Sequence, residues 1–159
     1  MRAFTRRGVA LQARLNDNES AILLALVGEL IELLTPLGPR ADDPPFWEVD
    51  PAPTWRDDPA LARLFPDAYR DDESASSDFL RYTQADQVIA KCEAASIVAI
   101  DIDDADSGWV TIPPDHIEAW LKTLTNLRLV LSERLGDERD TDAVYFWCGW
   151  MLESMLSVL

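Results

Sequence analysis

The sequence predicts a mainly α protein: a compact bundle of about four to five helices with a small N-terminal β-hairpin or three-stranded sheet. Three observations carry this. Of the 159 residues 48% are apolar and 27% charged, a balance that can bury one core without disulfides or metals. Apolar residues recur at three- and four-residue spacing through most of the chain. Only the first fifteen residues alternate with a period of two.

Residues 1–15 read as a β-hairpin. Val9, Leu11, Ala13 and Leu15 alternate with Ala10, Gln12 and Arg14, after an Arg7-Gly8 turn and an extended piece around Arg2 to Thr5. Asn16, Asp17 and Asn18 supply capping side chains for a helix over 18–35. Its stripe is Leu23, Leu26, Val27, Leu30, Ile31 and Leu34, and Pro36 stops it. The apolar run from Ala21 to Leu34 is broken by Gly28, Glu29 and Glu32, short of the ~20 apolar residues of a membrane span. Residues 36–58 form a Pro-rich, acidic connector whose Phe46, Trp47 and Trp55 are expected to pack down on the body.

Asp58-Pro59 opens a short helix over 58–65. The acidic, serine-rich stretch from Asp71 to Ser77 caps a long one over 75–100. Phe79, Tyr82, Val88 or Ile89, Cys92, and Ile97 or Ile100 are its expected buried stripe. Asp101 to Gly108 reads as a loop, and Trp109–Ile112 as a candidate third strand. A helix over 114–136 follows, with Ile117, Trp120, Leu121, Leu124, Leu127, Leu131 and Leu135 on one face and Gly136 as its cap. The last helix, 141–159, is apolar nearly all round, the mark of a central or interface helix. The whole is expected to be one domain.

Charge narrows the function classes. Fourteen basic residues against 29 acidic ones give a net charge of −15, which repels nucleic acid unless a basic patch is set apart. Arg2, Arg6, Arg7 and Arg14 are set apart, but four arginines suit a protected sheet edge better than a DNA footprint. The acidic turn Gly136-Asp137-Glu138-Arg139-Asp140, followed by an apolar helix, fails as a helix-turn-helix, so direct DNA binding is not expected. The N-terminus lacks the apolar stretch of a signal peptide, which makes the cytoplasm the expected compartment.

Catalytic signals are poor. One histidine, His116, and six glycines leave neither a phosphate-cradling loop nor a Gly-x-Ser-x-Gly elbow. The expectation is a protein that is not an enzyme and carries no cofactor. Asp101, Asp103, Asp104 and Asp106 are weak metal candidates, because their register does not fit an EF-hand and a solvated acidic loop explains them. An alternative reading is a metal- or small-molecule-binding sensor or enzyme using that loop or a tryptophan-lined pocket. Cys92 and Cys148 are redox candidates, although the bulky run Tyr145-Phe146-Trp147-Cys148-Gly149-Trp150 predicts a poorly solvated thiol. Arg128, on the rim of a core stripe, needs a partner, for which the segment from Asp67 to Asp72 is the candidate. Arg134 lies at the opposite rim. Trp147, Trp150, Met151 and Met155 are the interface candidates, favouring a homodimer on the last helix.

Three stretches resemble one family: Arg63-Leu64-Phe65-Pro66-Asp67-Ala68-Tyr69; Phe79-Leu80-Arg81-Tyr82-Thr83; and Ala119 to Leu131, continuing to Arg134-Leu135-Gly136. The chain resembles the actinobacterial domain-of-unknown-function family of small, mostly helical proteins, some described as oxidative-stress transcriptional regulators, with genes beside that of the Clp protease adaptor. The resemblance implies a regulator acting through a protein partner, such as a sigma factor or another transcription component, with cysteine oxidation as an input.

Overall fold

Alternation in the first residues builds two strands of an antiparallel sheet. In the computed structural model, which describes residues 1–39, 57–68 and 71–159, β1 (Arg2–Arg7) pairs with β2 (Ala10–Arg14) through a turn at Gly8 and Val9. Strand β3 (Trp109–Ile112) pairs with β2 in the register Leu11 to Ile112 and Ala13 to Val110, so the order is β1-β2-β3. Phe4, Leu11, Ala13, Leu15, Val110 and Ile112 face the core, whereas Val9 sits exposed in the turn. Along the free edge of β1 the Phe4 N–H donates to Ser154 Oγ at 2.8 Å, so a later helix covers part of that edge.

The bundle is mainly α. Helix α1 (Asp17–Leu34) starts with a capping box: Glu19 N–H donates to Asn16 Oδ1 at 2.9 Å, and Asn16 N–H to Glu19 Oε2 at 2.8 Å. By length and composition Asp17–Leu37 could cross a membrane. Its Leu23, Val27, Leu30 and Leu34 are instead core residues, and Glu29 and Glu32 are exposed. Helix α2 (Pro59–Leu64) is capped by Asp58, whose Oδ1 accepts from Ala60 N–H at 2.9 Å. The connector residues Phe46, Trp47 and Trp55 lie outside the described residues.

Helix α3 (Glu73–Asp103) is longer than its expected span. It begins where Asp72 Oδ1 accepts from Ala75 N–H at 2.8 Å, and it absorbs Asp101 to Asp103 from the expected loop. Its buried stripe is also rotated. Ser76, Leu80, Val88, Ala95, Val98 and Ile102 face in, while Phe79, Tyr82, Ile89 and Ile100 face out. Small residues allow close helix packing at several of these inward positions, so residue size was a poor guide to which side is buried.

A 3₁₀ turn at Pro114–His116 leads into α4 (Ile117–Leu135), which is capped by Gly136 with φ +53°. A second 3₁₀ turn, Gly136–Thr141, precedes α5 (Ala143–Leu156). Helix α4 lies against α2, α3 and α5, and its Trp120, Leu124 and Leu127 join the core. Helix α3 packs on α1 as well, and α5 also packs on β1.

Candidate functional site

Helix α5 has more apolar surface than the core can use. Met151 and Met155 are fully enclosed by the chain's own core, which corrects their expected place at an interface. Trp147 is half-buried against that core, and its indole N–H is enclosed without an acceptor among the described residues. The outward face belongs to Trp150, 41% exposed, and Phe146, 56% exposed, one helical turn apart. Leu156 and Leu159 stay exposed at the end of the same segment. An apolar helix that packs on one side must present the remainder to solvent.

Behind that face sits Arg128. Its guanidinium lies over the Tyr145 ring at 5.1 Å and donates to the Tyr145 hydroxyl at 3.4 Å, while its Nε finds no partner among the described residues. Among the described residues the partner found on this flank of α4 is the Tyr145 ring of α5, where a carboxylate from the Asp67 to Asp72 segment was expected. Gly149 makes the room: a Cβ there would stand 3.3 Å from the guanidinium carbon. Arg134 does find a carboxylate, Asp58 at 2.7 Å, and Arg63 pairs with Glu133 at 2.6 Å, so two ion pairs tie α2 to α4. Burial pushes the Asp58 carboxyl up, but the Arg134 and Ala60 hydrogen bonds outweigh it and hold the group below its usual range. Asp67 lies exposed beyond α2.

The aspartates of 101–106 do not converge. Asp101 is buried inside α3. His116 Nδ1 stands 2.9 Å and 3.1 Å from its two oxygens, and the Trp120 indole N–H donates to Oδ2 at 2.8 Å. Phe4 meets Trp120 edge-on at 6.0 Å, so this carboxylate ties the end of α3 to α4 beneath the sheet. Asp103, Asp104 and Asp106 are exposed. Among the described residues no three His, Cys, Asp or Glu side chains are placed to hold a metal ion. The weak metal candidates are therefore not gathered into one site, and the buried carboxylate, Asp101, already faces two ring nitrogens. The solvated-loop reading of Asp101 falls on the same fact.

Both cysteines are free thiols. Cys92 is half-buried on α3, Cys148 is enclosed on α5, and α4 packs against both helices. Burial raises the Cys92 pKa. It pushes Cys148 up to about 11, with Arg128 pulling partly the other way and Asp142 adding to the rise. Each thiol stays protonated, and therefore weakly nucleophilic, at neutral pH.

A groove between α3 and α4 was not anticipated. Gln87, Ala90, Lys91, Leu121, Lys122, Thr125 and Asn126 line a space of about 380 Å³. Lys91 and Lys122 are the chain's two lysines, one from each helix. Lys91 is half-buried, stands 5.6 Å from the Phe65 ring centre, and reaches Asn126 Oδ1 at 3.4 Å. Burial and then the charge of Lys122 lower its pKa. Lys122 pairs with the exposed Glu118 one turn away at 2.6 Å. The available signal was compositional: twelve of the fourteen basic residues are arginine, which makes each lysine a marked position.

Fold and surface together define a helical scaffold, closed at one end by a three-stranded sheet, that displays apolar side chains on an acidic body. The chain belongs to the family described as Domain of unknown function (DUF2017), whose family model matches residues 1–159. No curated protein and no solved structure matches the chain.

Proposed function

We propose that this protein is a non-enzymatic regulatory module that works by docking another protein on the outer face of α5, in the setting of transcription. The observation that carries the reading is the exposure of Phe146 and Trp150 side by side on a surface of net charge −15. Large aromatics at low rotamer cost are the usual anchors of protein interfaces. A partner with a basic face, such as a sigma factor or another transcription component, complements the surrounding acids. A second copy of this chain is the other occupant the aromatic face suits. The resemblance to oxidative-stress regulators supports the regulatory role. The raised pKa of both thiols makes them weak nucleophiles at neutral pH, which favours the aromatic face over cysteine chemistry as the basis of this reading.

The test is a photo-crosslinking amino acid placed at Phe146 or at Glu32 on the exposed side of α1, with adducts identified by mass spectrometry in the native host. Adducts from Phe146 that a Trp150→Ser change removes, with none from Glu32, support the reading. An adduct of two copies of this chain selects the homodimer. Equal adducts from both positions, or none from Phe146, would dispose of α5 as the docking face.

A further inference from the structure

We infer that the groove between α3 and α4 binds a small organic anion, with a carboxylate or phosphate head and a short apolar body, through Lys91 and Lys122. The two ammonium groups are brought together by tertiary packing from positions 31 residues apart, in a chain that uses lysine nowhere else. Among the described residues no carboxylate lies within ion-pair distance of Lys91. Its contacts are a ring at 5.6 Å and a long hydrogen bond to an amide oxygen, which stabilise an ammonium less than an anion does. The carboxylate available to Lys122 is the exposed Glu118, and a surface pair of that kind contributes little. Burial first, and then the like charge of Lys122, lower the Lys91 pKa, and an anion seated between the two ammonium groups offsets both costs.

The remaining walls set the ligand's shape. Ala90 and Leu121 are apolar, while Gln87, Thr125 and the buried Asn126 add hydrogen-bonding groups to the lining. About 380 Å³ falls in the range of small-molecule sites, which pair mostly apolar walls with a few placed polar groups. The acidic body argues against a polyanion. Each further negative charge on a ligand meets the net −15 of the protein, so nucleic acids and polyacidic peptides are penalised most and a small anion least.

The full chain is titrated with hexanoate, hexyl phosphate, hexanol, hexylammonium, inorganic phosphate and a polyglutamate peptide, followed by thermal unfolding and by methyl NMR of Ala90 and Leu121. Lys91→Met keeps the aliphatic stem against Phe65, and Lys122→Gln changes an exposed side chain whose surface pair with Glu118 adds little to stability. Saturable Tm rises with hexanoate or hexyl phosphate are expected, with shifts at both methyls and at least a tenfold loss of affinity in each variant. Preference between these two ligands identifies the head group. Hexanol or hexylammonium binding equally well overturns the proposal, as do variants that bind like the parent or anions that leave the methyls unmoved. Inorganic phosphate matching hexyl phosphate overturns the apolar-body assignment, and tighter binding of polyglutamate moves the site to a peptide.

Discussion

Asp101 shows how one carboxylate decides a local structure. Its two oxygens serve an imidazole from the 3₁₀ turn and an indole from the helix after it, and the indole is fully enclosed. Asp101→Ala leaves the Trp120 N–H without an acceptor, at a cost of about 1–3 kcal/mol, while Asp101→Asn keeps an oxygen for it and loses less. Urea unfolding of the two variants checks the order. Cys148 acts at the same scale through pH. Its folded pKa of about 11 lies above the ordinary value near 9, so the neutral thiol favours the fold fully below pH 9, and that contribution disappears as pH rises to 11. The parent should lose about 2 kcal/mol more stability than Cys148→Ala across that interval, measured as the difference in denaturant midpoints times m. Equal pH slopes would contradict a buried, proton-bearing thiol.

Among the elements, the turn into β3 is the most constrained. Ser107 and Gly108 both have positive φ, at 51° and 79°. Leu15 N–H donates to the Gly108 carbonyl at 2.9 Å, and a Cβ on Gly108 would stand 2.5 Å from the Leu15 carbonyl oxygen. Gly108→Ala should therefore destabilise by about 3 kcal/mol or more, since backbone cannot step aside. Gly8→Ala, with φ +63° but open space around it, should cost only about 1–2 kcal/mol. Paired denaturation curves for the two variants measure the contrast. The elements also show what was legible from sequence. Capping residues at Asn16, Asp58 and Gly136 placed helix ends well, because a cap is local chemistry. The buried side of α3 was legible only in part: Val88 is buried and Cys92 and Ile97 half-buried as expected, but Phe79 and Tyr82 face out while Ser76 and Ala95 face in, a side set by packing against α1 and α4. The lysine groove was hidden for the same reason, since each half carries no pattern of its own.

For the whole molecule, charge and apolar surface work together. A net charge of −15 keeps copies apart at long range, while Phe146 and Trp150 reward contact at short range. The expected signature of a basic partner is an association rate that falls as salt rises, while dissociation changes little, read by stopped-flow mixing. Self-association has the opposite sign, strengthening as salt screens the repulsion. Arg128, read from sequence as a rim residue needing a partner, with an acidic segment as the candidate, shows how molecular context redirects a local rule. Its partner is the Tyr145 ring in a notch opened by Gly149, an arrangement no single segment encodes.

The Phe4 amide and the Ser154 hydroxyl are separated by 150 residues. During translation the first strand leaves the ribosome long before the helix that shields it, so each nascent chain carries an open β edge through most of its synthesis. Crowded polysomes, where several such edges emerge side by side, are where this protein is most exposed to intermolecular β-pairing.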